Sequence, residues 1–176
     1  DTVHPIPIIT SSTDSNGSTV SDLILNYTVT FSKSVSDFAF GDITVTGSAN
    51  SGSPAASNFA GSGTTYTFDV VRGSSDGTVV VSVAAGTATD AAGNDNTVSN
   101  TYTLTIDTVN PTITISSTTS CGSTVDDTTL NYTVTFSEPV SNFAIGDITV
   151  TGSANSGSPA ASNFAGSDTT YTFDVV

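Results

Sequence analysis

The chain has 176 residues and carries sixteen acidic side chains against a single lysine and a single arginine, a formal net charge of -14. That balance excludes nucleic acid and insertion into anionic membranes, because both need Lys and Arg to neutralise phosphate. One cysteine excludes an internal disulfide, and no apolar run approaches the roughly 20 residues of a membrane helix.

In chain order, the first predicted strand covers 6–10. The turn-rich stretch SSTDSNGST separates it from 23–31, where Leu23, Leu25, Tyr27, Val29 and Phe31 alternate with Ile24, Asn26, Thr28 and Thr30. Further strands are predicted at 38–46, 56–60, 64–71, 78–84 and 98–106, with SANSGSPAAS, GSSDG and TDAAGNDN as turns. Tyr66, Phe68 and Val70 alternate in the same way, as do Val79, Val81 and Val83, then Tyr102, Leu104 and Ile106. One apolar and one polar face per strand belongs to antiparallel sheets packed on each other. Seven such strands in one stretch predict an all-β, immunoglobulin-like sandwich, without the tryptophan and disulfide of antibody domains.

Beyond residue 106 the pattern starts again. Residues 41–62 recur letter for letter at 146–167, and 64–71 recur at 169–176, so that Gly63 against Asp168 is the one difference in the block. Leu130, Tyr132, Val134 and Phe136 repeat the alternation of the first copy. Two tandem domains are expected, 1–106 and 107–176, the second stopping before its last two strands. The lack of Met fits an internal stretch of a longer protein. A duplication that preserves surface as well as core points to a length-giving module, since a recognition site is usually built once.

The strings FSEPVSNFAIGDITVTG, YTFDVV and DGTVVVSVAAGTATDAAGNDN, with the junction IDTVNPTITI, cover the whole chain. Together they resemble the bacterial Ig-like repeats of large surface adhesins. The resemblance implies an extracellular extender that holds a terminal binding domain away from the bacterial cell. It also implies calcium at domain junctions and neighbouring repeats of the same chain as partners. Pro111 in the junction fixes its own φ and biases Asn110 to an extended shape.

In an Ig-like strand order the start of each repeat, the loop after its second strand and its last loop share one pole. In the first copy that pole is expected to gather Asp1, Asp37, Asp42, Asp90, Asn94 and Asp95; in the second, Asp107, Asn110, Glu138 and Asp147. Asp14 and Asp76 fall at the opposite pole, which in a preceding repeat is expected to face this cluster across the junction, with Asp76 among the candidate calcium ligands. Converging carboxylates repel one another unless a cation lies among them. Calcium suits the set, because it accepts six to eight hard oxygens in loose geometry, whereas zinc lacks its Cys/His cluster. The other reading is that these Asp and Asn residues form turns and accept backbone N–H groups. Lys33 stands where the second copy has Glu138, so if the position ligates calcium only the second copy keeps it. DAAGNDN lacks the spacing of an EF-hand loop.

Catalysis is not expected. His4 is the one histidine, it lies beside Pro5 in a linker, and the second copy has Asn110 there. Isopeptide chemistry needs a buried lysine, for which Lys33 is the sole candidate. Outward Thr28, Thr30, Thr101, Thr103 and Thr105 follow from β-propensity alone. Cys121 reads as a loop residue. Two alternatives to a stalk are a filament subunit, in which other copies supply strands by exchange, and a ligand-binding module at the acidic pole. Identical loops in the two copies favour the stalk.

Overall fold

Alternating apolar residues produce the strands in the order the sequence implies, and the computed structural model describes residues 1–49, 56–152 and 161–176. In the first unit, Asp1–Thr108, the strands are β1 (Pro7–Ser11), β2 (Thr19–Val20), β3 (Ile24–Val35), β4 (Ile43–Thr46), β5 (Ala56–Val71), β6 (Gly77–Val83) and β7 (Tyr102–Ile106). In the second, Val109–Val176, they are β8 (Ile113–Ser117), β9 (Leu130–Phe136), β10 (Ala161–Ser167) and β11 (Thr170–Val175). The units divide after Thr108 because the preceding residues are tied backward. The Asp107 N–H donates to Val20 O, and Thr108 donates its N–H and hydroxyl to the Asp76 carboxylate. Among the described residues no helix is long and apolar enough to cross a membrane.

The first unit is a two-layer sandwich. One sheet has the order β1-β3-β5 and the other β2-β7-β6-β4. Leu25, Tyr27, Val29 and Phe31 lie on the inner face of β3, with Ile9 opposite Val29 and Phe68 opposite Tyr27. Val79, Val81, Val83, Leu104 and Ile106 cover them from the other sheet, all buried. Burying a side chain of this size contributes roughly 1.5–3 kcal/mol, so the two apolar faces hold the sheets together. Tyr27 stacks on Phe68 at 5.4 Å between ring centroids, and Phe31, Phe38 and Tyr66 meet edge to face.

Several expectations are corrected. Leu23 precedes β3 and is 57% exposed, so the inward alternation starts at Leu25. Of 38–46 only Ile43–Thr46 is strand. Before it, Phe40–Asp42 forms a 3-10 turn in which the Asp42 carboxylate accepts the Ala39 N–H at 2.8 Å. The last strand begins at Tyr102 instead of 98, since Asn100 does different work: its side-chain amide pairs with both the N–H and the carbonyl of Ile9 (2.7 and 3.1 Å). The expected strands 56–60 and 64–71 run together as β5, which pairs with β3 from Gly63 onward. In the second unit the same stretch is split into β10 and β11. Gly63 and Asp168, the one difference in the repeated block, both hold positive φ (67° and 57°), a conformation Asp tolerates better than most side chains. The short parallel pairing of β2 with β7 had no counterpart in the sequence reading. Most of SANSGSPAAS and its copy lies outside the described residues.

The second unit contains one described sheet, of order β10-β11-β9-β8. It repeats the register of the first: Ile115 faces Val134 as Ile9 faces Val29, and Tyr132 stacks on Phe173 at 5.2 Å. Val134, Tyr171 and Phe173 are buried, whereas Ile113 and Ile115 are exposed. A hollow of about 310 Å³ opens over this face, lined in part by Ile115, Tyr132, Val134, Ile148, Val150 and Phe173.

Candidate functional site

The acidic pole of the first unit is built where β3 ends. An isolated bridge between Val35 and Asp90, with another between Thr89 and Asp95, brings the loop 84–97 against that strand end. Asn96 fixes the loop from inside. It is 3% exposed, its side-chain oxygen accepts the N–H groups of Thr87 and Ala88, and its NH2 donates to the carbonyls of Ala84 and Thr97. The backbone of Asn96 also pairs with Gly86 and Ala88. This residue escaped the sequence reading because an Asn in a turn-rich loop carries no mark of burial.

Asp90 is the centre of the pole, with its side chain 6% exposed. Its Oδ1 accepts the N–H groups of Ala92 and Asn94 (2.9 and 3.0 Å), and the Asn94 side-chain amide reaches both carboxylate oxygens. These bonds hold the Asp90 carboxyl far below the usual carboxylate range. The Asn94 side chain contributes most and the Asn94 N–H next; Ala92 and Lys33 add to them, and burial opposes. The Asn94 NH2 also donates to Asp1 O. Lys33 closes the group: its Nζ lies 2.6 Å from Asp1 Oδ2, 2.5 Å from Val3 O and 3.3 Å from Asp90 Oδ2.

Of the residues expected at this pole, the structure therefore joins Asp1, Asp90 and Asn94, and it adds Lys33. Asp37 turns to Thr89, whose N–H and hydroxyl it accepts, and these bonds lower its carboxyl, the N–H most. Asp42 is used inside its own turn, and Asp147 repeats that role by accepting the Ala144 N–H at 2.9 Å. Asp95 presents its backbone carbonyl to Nδ1 of the exposed His4. Asp76 holds Thr108. Asp107 belongs to the first unit, and Asn110, Glu138 and Asp147 to the second. Glu138 is half-buried, and its Oε1 is sealed from solvent without a hydrogen-bond partner.

The first unit's pole does not fit calcium, because an ammonium already stands among its oxygens. Among the described residues no three His, Cys, Asp or Glu side chains converge as a metal site.

A second polar group recurs in both units. Asp69 takes the side-chain amides of Asn26 and Asn58 on its two oxygens (2.7 and 2.6 Å). Asp174 takes those of Asn131 and Asn163 (2.6 and 2.7 Å), which lower its carboxyl, Asn163 first. Asn58 and Asn163 sit at positive φ, so the carboxylate clasps an irregular turn of the backbone to the neighbouring strand. Asn26 and Asn131 each open an Asn-Tyr-Thr triplet of the kind that accepts N-linked glycans, and here their amides are engaged.

The family model for the bacterial Ig-like domain matches residues 1–106. No curated protein matches the chain. The matched span contains both sheets of the sandwich and its acidic pole, and the chain belongs to the bacterial Ig-like domain family.

Proposed function

We propose that this chain is a stretch of the stalk of a bacterial cell-surface adhesin, where repeated Ig-like modules hold a distal binding domain away from the cell. The observation that carries this reading is the repetition of solvent-facing geometry. The Asn26–Asp69–Asn58 clasp and the Asn131–Asp174–Asn163 clasp agree to 0.1 Å in each bond, although nothing in the core demands it. Selection for one recognition surface diversifies loops, whereas a spacer tolerates copies. Immunogold labelling of intact cells with an antibody to the repeat tests the proposal. Gold particles standing off the envelope are expected; label confined to the cytoplasm would overturn it.

Calcium enters this reading at the second repeat alone, through Glu138, whose buried Oε1 has no hydrogen-bond partner. Titrating calcium into the chain while following hydrogen exchange of 130–140 tests it. Slower exchange is expected in the native chain and no response in Glu138→Gln; equal curves would remove calcium from the proposal.

A second reading rests on the open face at Ile113 and Ile115, which is suited to strands supplied by other copies in a filament. Sedimentation over a wide concentration range separates the two. Growing polymers favour strand exchange, and a monomer throughout favours the stalk.

A further inference from the structure

We propose that Lys33 is a tethered counter-cation: its ammonium takes the place that an external cation would need, so the acidic pole of the first repeat closes without metal. An ammonium has three N–H donors and no acceptor. Here Nζ meets three oxygens, from Asp1, Val3 and Asp90, so its donors are all used. Those oxygens come from the start of the repeat and from its last loop, two segments about ninety positions apart in sequence. Lys33, carried on β3, pins both to the sandwich. Without it, the two carboxylates that now share one ammonium lose their common partner, Asn94 reaching only the backbone carbonyl of Asp1, and the Asp90 side chain is nearly inaccessible to water.

The second repeat supplies an internal comparison. Ser32 Oγ accepts the Ile6 N–H at 2.9 Å, and Ser137 Oγ accepts the Thr112 N–H at 2.9 Å, so the backbone before the variable position follows the same course. One residue later the charge reverses, from Lys33 to Glu138. The Lys has its donors satisfied, whereas the Glu has an oxygen buried with no donor. At this position the first repeat thus carries its own cation, and the second carries a carboxylate with one oxygen left without a donor. The inference concerns the first repeat and stands whether or not calcium reaches the second.

The test is hydrogen exchange on the 176-residue chain, read over residues 1–10 and 86–96, in millimolar calcium chloride or in EGTA. In the native chain, exchange at both segments is expected to be the same in the two media. Lys33→Glu should accelerate it about tenfold in EGTA, with calcium restoring it, and Lys33→Gln should accelerate it without charge reversal. The proposal is overturned if the native pole is slowed by calcium, if Lys33→Gln exchanges as the native chain does, or if calcium leaves Lys33→Glu unrestored. Should Lys33→Glu not fold, the native protein still decides. Lys33 is the one lysine, and its acylation by acetic anhydride should be slow and indifferent to calcium; labelling that rises with calcium shows the ammonium being displaced, against the proposal.

Discussion

Ile9 and Ile115 hold the same place in their sheets, opposite Val29 and Val134, yet Ile9 is 1% exposed and Ile115 is 62% exposed. The strands are equivalent; what differs is the layer above them. In the first unit Val79, Val81, Val83 and Leu104 lie over the sheet, so packing energy there is shared between two faces.

Phe31→Ala and Phe136→Ala therefore have unequal effects. Phe31 is 2% exposed, and truncating it should cost about 3–5 kcal/mol. Phe136 is half-buried, with Phe143 and Tyr171 as ring neighbours, and should cost about half as much. Denaturant unfolding followed by hydrogen exchange in each unit checks the ratio; equal costs would mean that the second layer adds nothing at Phe31.

Tyr27 is buried against Phe68 and Tyr102, and its hydroxyl has no hydrogen-bond partner. Burial, with a smaller contribution from Tyr102, pushes its ionisation well above the ordinary phenol value. Tyr27→Phe removes an unsatisfied group and keeps the ring. It should leave the first unit as stable as before or more stable by about 1 kcal/mol, as a thermal melt can show.

Asn96→Ala acts in the opposite direction. Its loss strands the N–H groups of Thr87 and Ala88, each orphan costing about 1–3 kcal/mol, whereas the Ala84 carbonyl keeps the Thr87 hydroxyl as a donor. The expected total is about 3 kcal/mol or more. Exchange should rise first across 84–97, where the acidic pole is assembled.

The acid limb of stability reports on Asp90. Its carboxyl is lowered on folding from 3.8, so its contribution is complete above that value and is lost as pH falls below it toward the folded value. Asp37 and Asp174 act in the same sense. Melting of the first unit should be insensitive to Asp90 between about pH 5 and 7 and should fall steeply below about pH 4. Asp90→Asn should be less stable at neutral pH and show a shallower acid slope. A slope unchanged in the variant would assign the acid sensitivity to other carboxylates.

The sandwich was legible in the sequence because Tyr27, Val29 and Phe31 alternate without interruption, and periodicity is what sheets record most plainly. Leu23 misled for the same reason: it continues the alternation beyond the point where β3 begins. Asp42 and Asp147 were legible as acids but not as turn caps, since their partners are the backbone N–H groups of Ala39 and Ala144 three residues earlier. The pole was half visible. Asp1, Asp90 and Asn94 were expected together, yet Lys33 was read as a departure from a metal site and not as the group that completes it. Only the distances from its Nζ show which. Asn100 and Asn96 were missed because their partners are backbone groups, to which any sequence contributes equally.

The β1-β3-β5 sheet contains nothing beyond Val71, whereas the cover over it is finished only by Ile106. On the ribosome the sheet's inner face must therefore wait, uncovered, while the 35 residues from Arg72 to Ile106 are made. At the usual pace of synthesis the delay is about 2–7 s. Every repeat of this design passes through that interval in turn, and a run of nearly identical repeats passes through it with the same sticky surface each time. The rate at which a run of such repeats can be made is tied to how well each exposed sheet is kept from its neighbours until its own second layer arrives.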